Sequence, residues 1–171
     1  FIKVYFQSVS PAEMLKIMEA TCSFVPSSTA LDEACDISLY DHVKLTAAIA
    51  NAMYLYFAEQ GLSNYRQLCF DQKALEIRTK DMFLLVSGDL SGIQNFIYTI
   101  ASTGALKSLR GRSFYLDMVL EHIVDEILTA LGLNRCNLIY TGGGHFYLLA
   151  PNTTETKHIL DAMKIRCNEW F

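Results

Sequence analysis

The sequence predicts an α+β fold: an N-terminal helical segment, then a ferredoxin-like unit of βααββα order whose last strand is missing. Three observations carry this prediction. Residues 10–22 and 38–59, with a loop between them, place apolar side chains at helical spacing. Residues 82–89, "MFLLVSGD", form a short apolar run that ends in Gly-Asp. Residues 137–152, "NLIYTGGGHFYLLAPN", set two apolar runs around three glycines and a histidine, which is a hairpin signal.

Each element follows in order. Residues 10–22, "SPAEMLKIMEATC", open with Ser10 as a cap, Pro11 in the first turn and Glu13 at capping-box spacing. Met14, Leu15, Met18 and Cys22 then make one apolar stripe. A loop follows. Residues 38–59 read as a long, mostly buried helix that Gly61 ends. Residues 62–80 are weakly patterned, and a boundary falls near 71–81, between a helical unit (1–75) and the sheet unit (82–171). The run 82–89 is the first strand. Residues 91–102 are a helix with Ser91 as its cap, and "TGALKSLRGR" is a basic loop. Residues 113–131 form a helix: Leu116, Val119, Leu120, Ile123, Val124, Ile127 and Leu131 face one way, and Asp117, Glu121, Asp125 and Glu126 the other. Gly132 ends it. Strand 136–141, the glycine turn and strand 145–150 come next, and Pro151 stops the second strand. A final helix runs from 153. Two helices between parallel strands make a right-handed crossover, so the sheet is a split βαβ with helices on one face.

Composition narrows the function classes. The chain has 171 residues, is 51% hydrophobic and carries a net charge of -4. Only 19% of residues are charged. That is low for a free-standing domain, and implies surface covered by a partner or by more chain. Residues 1–80 hold 7 basic and 9 acidic side chains, and residues 81–171 hold the same numbers, so each half carries -2. Neither half is a basic nucleic-acid footprint. The five cysteines, at 22, 35, 69, 136 and 167, lack CxxC spacing and read as reduced thiols of a cytoplasmic protein. No apolar run reaches membrane-spanning length. The first residues lack a signal-peptide pattern, and a chain that opens on Phe1 and stops in a helical pattern reads as a fragment.

Three constellations are candidates for chemistry. Asp89 ends the first strand, at the sheet edge where the hairpin tip also lies. Palm-type nucleotidyl transferases use that layout, with carboxylates from both places holding two divalent metals. The plainer alternative is that Asp89 only caps the following helix or closes a turn. Gly142, Gly143 and Gly144 permit positive φ and close backbone approach, which suits a phosphate or ribose; the alternative is an ordinary glycine-rich turn. Gly144 and His145 stand where a two-metal enzyme needs acids. Lys107, Arg110 and Arg112 cluster within an acidic chain and are candidates for phosphate or RNA contact, or a solvated face. Asp41 and His42 form one adjacent pair, too few for a metal site, and read as a capped helix start.

Together "CDISLYDHVKLTAAIANAMYLY", "LLVSGDLSGIQNFIYTIASTGALKSLRGRSFYLDMVLEHIVDEIL" and "NLIYTGGGHFYLLAPN" resemble the large subunit of type III CRISPR–Cas effector complexes, with the III-A (Csm) branch the nearer match. The resemblance spans about residues 10–171. It implies that residues 1–75 end an HD-nuclease region and that residues 82–171 are a first palm of GGDEF or cyclase type, cut before its last strand. It also implies an antiviral subunit whose HD domain cuts single-stranded DNA. Two palms of that subunit together convert ATP to cyclic oligoadenylate. The first palm is a degenerate copy, in keeping with GGGH in place of an acidic hairpin, so no catalytic residue is expected in this chain. Asp89, Ser91 and Gly92 would line the nucleotide cleft, with Gly142, Gly143, Gly144 and His145 opposite. Asp89 is carried over as a metal ligand, although Mg or Mn would be held mainly by the second palm. Implied partners are that second palm, the small Csm-type subunit, the subunit that binds the crRNA 5′ end, and indirectly crRNA and target RNA; no membrane is implied.

Overall fold

The computed structural model describes residues 9–30, 32, 34, 36–71, 74–99 and 105–170. Cys35, residues 100–102 of the expected second helix, and residues 103–104 of the expected basic loop lie outside these. Among the described residues the order is α1 (Pro11–Cys22), α2 (Leu39–Glu59), α3 (Tyr65–Phe70), α4 (Ala74–Ile77), β1 (Phe83–Asp89), α5 (Ile93–Tyr98), α6 (Ala105–Ala130), β2 (Leu138–Gly142), β3 (His145–Pro151) and α7 (Thr154–Trp170). A 3-10 turn, Arg135–Asn137, precedes β2.

The helix starts follow from local chemistry. Ser10 and Glu13 close a reciprocal capping box: the Ser10 amide donates to Glu13 Oε2 at 2.8 Å, and the Glu13 amide to Ser10 Oγ at 3.3 Å. The hydrogen bond from the Ser10 amide holds the Glu13 carboxyl below its usual range. Ser38 caps α2 by accepting from the Asp41 amide at 3.0 Å, and its hydroxyl donates to the Asp41 carboxylate at 2.7 Å. Asp41 and His42 thus belong to a capped helix start. At the far end Gly61 takes φ 67, the left-handed geometry that closes a helix.

Strand order is β1-β3-β2, and both pairings are antiparallel. β1 and β2 therefore run parallel with β3 between them, the split βαβ expected from the element order. Alternation along the strands separates two faces. Val86, Leu148, Phe146 and Leu138 face a core built with Leu120, Val124, Ile127, Leu131 and Met163 of α6 and α7. Val124 and Leu148 are fully buried. Each such aliphatic side chain contributes about 1.5–3 kcal/mol. Gly88 sits opposite Phe146 in the ladder, and a Cβ there would overlap the Phe146 ring.

One buried side chain stands at the centre of the junction between the helical segment and the sheet. Asn137 is fully buried. Its amide nitrogen donates to the Leu149 carbonyl at 2.9 Å and to the Ala48 carbonyl at 3.2 Å, and its oxygen accepts from Asn51 Nδ2 at 3.0 Å. α2 packs against the 3-10 turn and β3 around this node. Next to it, burial pushes the Cys136 thiol up, which disfavours the reactive thiolate. The four described cysteines are free.

Four expectations need correction. The long helix begins at Ala105, not at 113, so "LKSLRGR" is helical and Ser113 is interior. Gly111 keeps ordinary helical φ, and a mid-helix glycine costs only about 1 kcal/mol. Ser91 is not a cap: Gly92, at φ 79, occupies that place and no side chain caps α5. Residues 136 and 137 belong to the 3-10 turn, so β2 starts at Leu138; β3 runs through Pro151. Finally, α2 buries only Ala48, Ala52 and Phe57, while Leu45, Ile49 and Tyr54 are exposed. An all-round apolar pattern cannot say which side meets the sheet.

Two substitutions test this framework by denaturant unfolding of the chain. Asn137→Ala strands the Ala48 and Leu149 carbonyls and is expected to cost about 1–3 kcal/mol, more than Asn51→Ala. Gly88→Ala forces the Phe146 ring aside and is expected to cost about 1–3 kcal/mol. An unchanged midpoint for either variant contradicts its assigned role.

Candidate functional site

The hairpin tip explains its own composition, one glycine at a time. β2 ends at Gly142 and β3 begins at His145, its register partner. Gly143 (φ 60) and Gly144 (φ 89) are the two turn residues, both at the positive φ that a tight hairpin requires. Gly144 is buried, and its carbonyl accepts from the Leu90 amide at 2.9 Å. A Cβ there would overlap the Ile93 side chain. Gly142 makes room for Tyr140, whose hydroxyl would stand 3.0 Å from a Cβ at 142. Only Gly143 has open space around it. Gly143 and Gly144 thus both use the positive φ open to glycine, and Gly142 and Gly144 are small also because neighbours fill the space a Cβ would take.

Asp89 ends β1 directly opposite His145. The His145 Nδ1 lies 3.1 Å from Asp89 Oδ1, and both side chains are more than half exposed. The pair thus stands at the rim of the sheet's open face. Ser87 pairs with Tyr147 one step further along that face, and Tyr140 packs beside Tyr147 with ring centroids 6.4 Å apart. Tyr140, Tyr147 and Leu85 are all exposed. Strand alternation puts Leu85 and Tyr147 on this face, and the register shift between Leu138 and Tyr140 brings Tyr140 there; no pattern marked Tyr140 as lying over a glycine.

These residues do not fit a two-metal centre. Asp89 is the one carboxylate at this edge among the described residues, and one of its oxygens faces His145. The turn adds no acid. No group of three His, Cys, Asp or Glu side chains able to hold an ion occurs among the described residues. Two-metal sites need carboxylates from both strand and hairpin.

On the helix side of β1 lies a cleft of about 720 Å³. Asp89, Ser91 and Gly92 line it together with Phe96 of α5, Tyr115 of α6 and Lys164 of α7. Asp89 thus belongs both to the hairpin edge and to the cleft mouth. The Gly142–His145 turn does not line the cleft. Phe96 and Tyr115 stand with ring centroids 6.1 Å apart. Asp161 and Lys164 were missed from sequence, because a helical pattern gives no sign of which polar positions will overlook a cleft.

The three basic residues 107, 110 and 112 do not form one patch. On a helix, positions two apart point to opposite sides. Lys107 and Arg110 are exposed on the first turns of α6. Arg112 turns inward: its Nη1 donates to the Phe96 carbonyl, and its guanidinium lies 5.2 Å from the Phe96 ring centroid. It clamps α5 onto α6.

The chain is similar in sequence and fold to known proteins. Residues 82–171 match the family described as Csm1 subunit domain B. The "CRISPR system single-strand-specific deoxyribonuclease Cas10/Csm1 (subtype III-A)" of Enterococcus italicus is 48% identical over 162 residues, 94% of this chain and 22% of that protein. The protein of the same description from Mycobacterium tuberculosis is 48% identical over 160 residues, 94% of this chain and 20% of that one. This chain therefore spans about a fifth of those relatives. Among solved structures, Csm1 of T. onnurineus is 39% identical with a TM-score of 0.72, over 92% of this chain and 20% of that one. A Csm1–Csm4 cassette in complex with one ATP is 36% identical with a TM-score of 0.73, over the same shares. With more than half of its length inside the family match, the chain belongs to the Csm1 subunit domain B family.

Proposed function

We propose that this chain is the first-palm segment of the large subunit of a type III-A CRISPR effector complex. In this reading residues 82–171 are the palm, and residues 1–75 end the HD-nuclease region. The palm binds ATP at its hairpin edge together with a second palm and is not catalytic alone. Cyclic oligoadenylate synthesis and single-stranded DNA cleavage belong to the whole cytoplasmic subunit. Divalent metal is held mainly by the second palm, since Asp89 faces His145 and the hairpin brings no acid. The observation that carries this reading is the juxtaposition of Asp89, His145 and the open Gly143 at one sheet edge, beside a cleft that Asp89, Ser91 and Gly92 also line. Similarity to Csm1–Csm4 cassettes solved with ATP, AMPPNP and cA4 supports a nucleotide as ligand and a Csm4-type subunit as neighbour. The small Csm-type subunit, the crRNA and the target RNA are further partners of the assembled complex.

A second reading is that the palm is a brace for the second palm and neighbouring subunits. The exposed row Leu85, Tyr147 and Tyr140 on the open sheet face favours it. Apolar surface of that kind marks an interface. Nucleotide held by the second palm alone would favour the brace.

Two outcomes are expected. In the full-length subunit, Asp89→Ala and Gly143→Asp each lower ATP affinity and cyclic oligoadenylate output by about tenfold, the scale of one hydrogen bond to a charged group. Unchanged affinity and output in both variants overturn the nucleotide reading. The purified 171-residue chain turns over neither ATP nor GTP; a cyclic product from it would contradict the assignment of catalysis to another palm.

A further inference from the structure

Between Asp89 and the long helix α6 the chain passes through a segment with little to hold it. Helix α5 has six residues, no side-chain cap and no buried residue. A helix that short is not stable by itself in water. Two anchors hold the segment, one at each end. At the hairpin, the Leu90 amide donates to the Gly144 carbonyl at 2.9 Å, and Ile93 fills the place a Cβ at 144 would take. At α6, Arg112 donates to the Phe96 carbonyl and sets its guanidinium 5.2 Å from the Phe96 ring centroid. Phe96 lies in the last turn of α5, where carbonyls have no partner within the helix, so Arg112 supplies what the short helix lacks. The guanidinium makes no ion pair among the described residues. Between the anchors stand Ser91 and Gly92, both exposed, and Gly92 takes the left-handed φ of 79.

We propose that Arg112 is a positioning residue for the nucleotide site: by latching α5 to α6 it fixes the Asp89–Gly92 segment before the nucleotide arrives. The inference rests on the nucleotide reading above and adds the residue that preorganises that site. Its physical basis is the free energy of ordering. A segment that is already held gives up no further backbone freedom when its ligand binds, whereas a loose one gives it up at the expense of affinity. Without the latch only the hairpin anchor remains, and α5 opens locally while the core of α6, β1 and β3 stays folded. The nucleotide then has to close the segment itself. Arginine suits this task because one planar group serves the carbonyl at its edge and the ring at its face. The other way for Arg112 to act is direct charge attraction to the phosphates, which leaves α5 unaltered; the experiment separates the two.

The test uses the full-length subunit and reads two quantities: hydrogen exchange of the α5 amides, and KM and kcat for ATP in cyclic oligoadenylate formation. Arg112→Ala is expected to speed α5 exchange about tenfold without ATP, and saturating ATP restores the wild-type rate. The same variant raises KM for ATP about tenfold and changes kcat less than about threefold. Arg112→Lys, which keeps a donor and a cation beside the ring, returns KM to within about threefold of wild type. A role confined to stability moves exchange and leaves KM as it was. Faster α5 exchange with unchanged KM therefore overturns the proposal, and the nucleotide reading stands if Asp89→Ala still weakens ATP. A raised KM with unchanged α5 exchange assigns Arg112 to direct charge attraction and also overturns it. Should Arg112→Ala lower the global unfolding midpoint, Phe96→Leu, which removes only the ring contact, carries the same test: α5 exchange and KM are expected to rise together, and a change in one alone overturns the latch. If neither Asp89→Ala nor Arg112→Ala alters ATP binding, the latch and the nucleotide reading both fall.

Discussion

The antiparallel register between β1 and β3 decides most of what this molecule presents. Seven consecutive residue pairs run from Phe83–Pro151 to Asp89–His145 without a slip. Because side chains alternate, a shift of β1 by one residue would turn Val86 out to solvent and Asp89 into the core, and a shift of β3 would turn Phe146 and Leu148 out. The buried half of the alternation therefore enforces the exposed half. Apolar burial, worth a few kcal/mol per side chain, holds a carboxylate opposite an imidazole at the rim, though that exposed pair contributes little stability itself. Gly88 is part of the same constraint, since Phe146 keeps its place in the register only if its partner has no side chain.

The helical segment and the sheet are joined through polar contacts as well as apolar ones. Asn137 links Asn51 and the Ala48 carbonyl of α2 to the Leu149 carbonyl of β3. Glu59, at the end of α2, accepts from the Glu155 amide in the first turn of α7 at 3.2 Å. These contacts satisfy backbone groups that would otherwise be buried or unpaired. The Asn137 node also accounts for the irregular approach to β2: a 3-10 turn swings that side chain under α2, and a register shift between Leu138 and Tyr140 restores the pairing.

At the candidate site the residues brought together are few and mostly exposed. One carboxylate, one imidazole and a turn with a single open glycine offer hydrogen bonds but no metal cage. The adjacent cleft offers apolar walls and two aromatic rings. Asp89 belongs to both the edge and the cleft mouth. On the far side of the sheet, Leu85, Tyr140 and Tyr147 leave an apolar surface that suits a protein neighbour. The low proportion of charged residues has its structural counterpart there and on the exposed side of α2.

By itself the sequence determined whatever depends on short-range pattern. Ser10 with Glu13, and Ser38 with Asp41, marked helix starts because capping is complete within four residues. The runs around 82–89 and 137–152 marked the strands, and their order placed Asp89 beside the glycine turn before any coordinate did. The resemblance in those same stretches pointed to the family. What only the tertiary structure decided involves residues far apart in the chain or packing choices that carry no periodic signal. Helix α6 begins at Ala105 and runs through Gly111, whose cost of about 1 kcal/mol does not end it, while Arg112 is tied to Phe96 of α5 across sixteen positions. Gly142 and Gly144 are explained by Tyr140 and Ile93 filling the space a Cβ would take. The Asn51–Asn137 bond spans 86 positions. The cleft draws on β1, α5, α6 and α7 at once, and it exists only when all four are assembled.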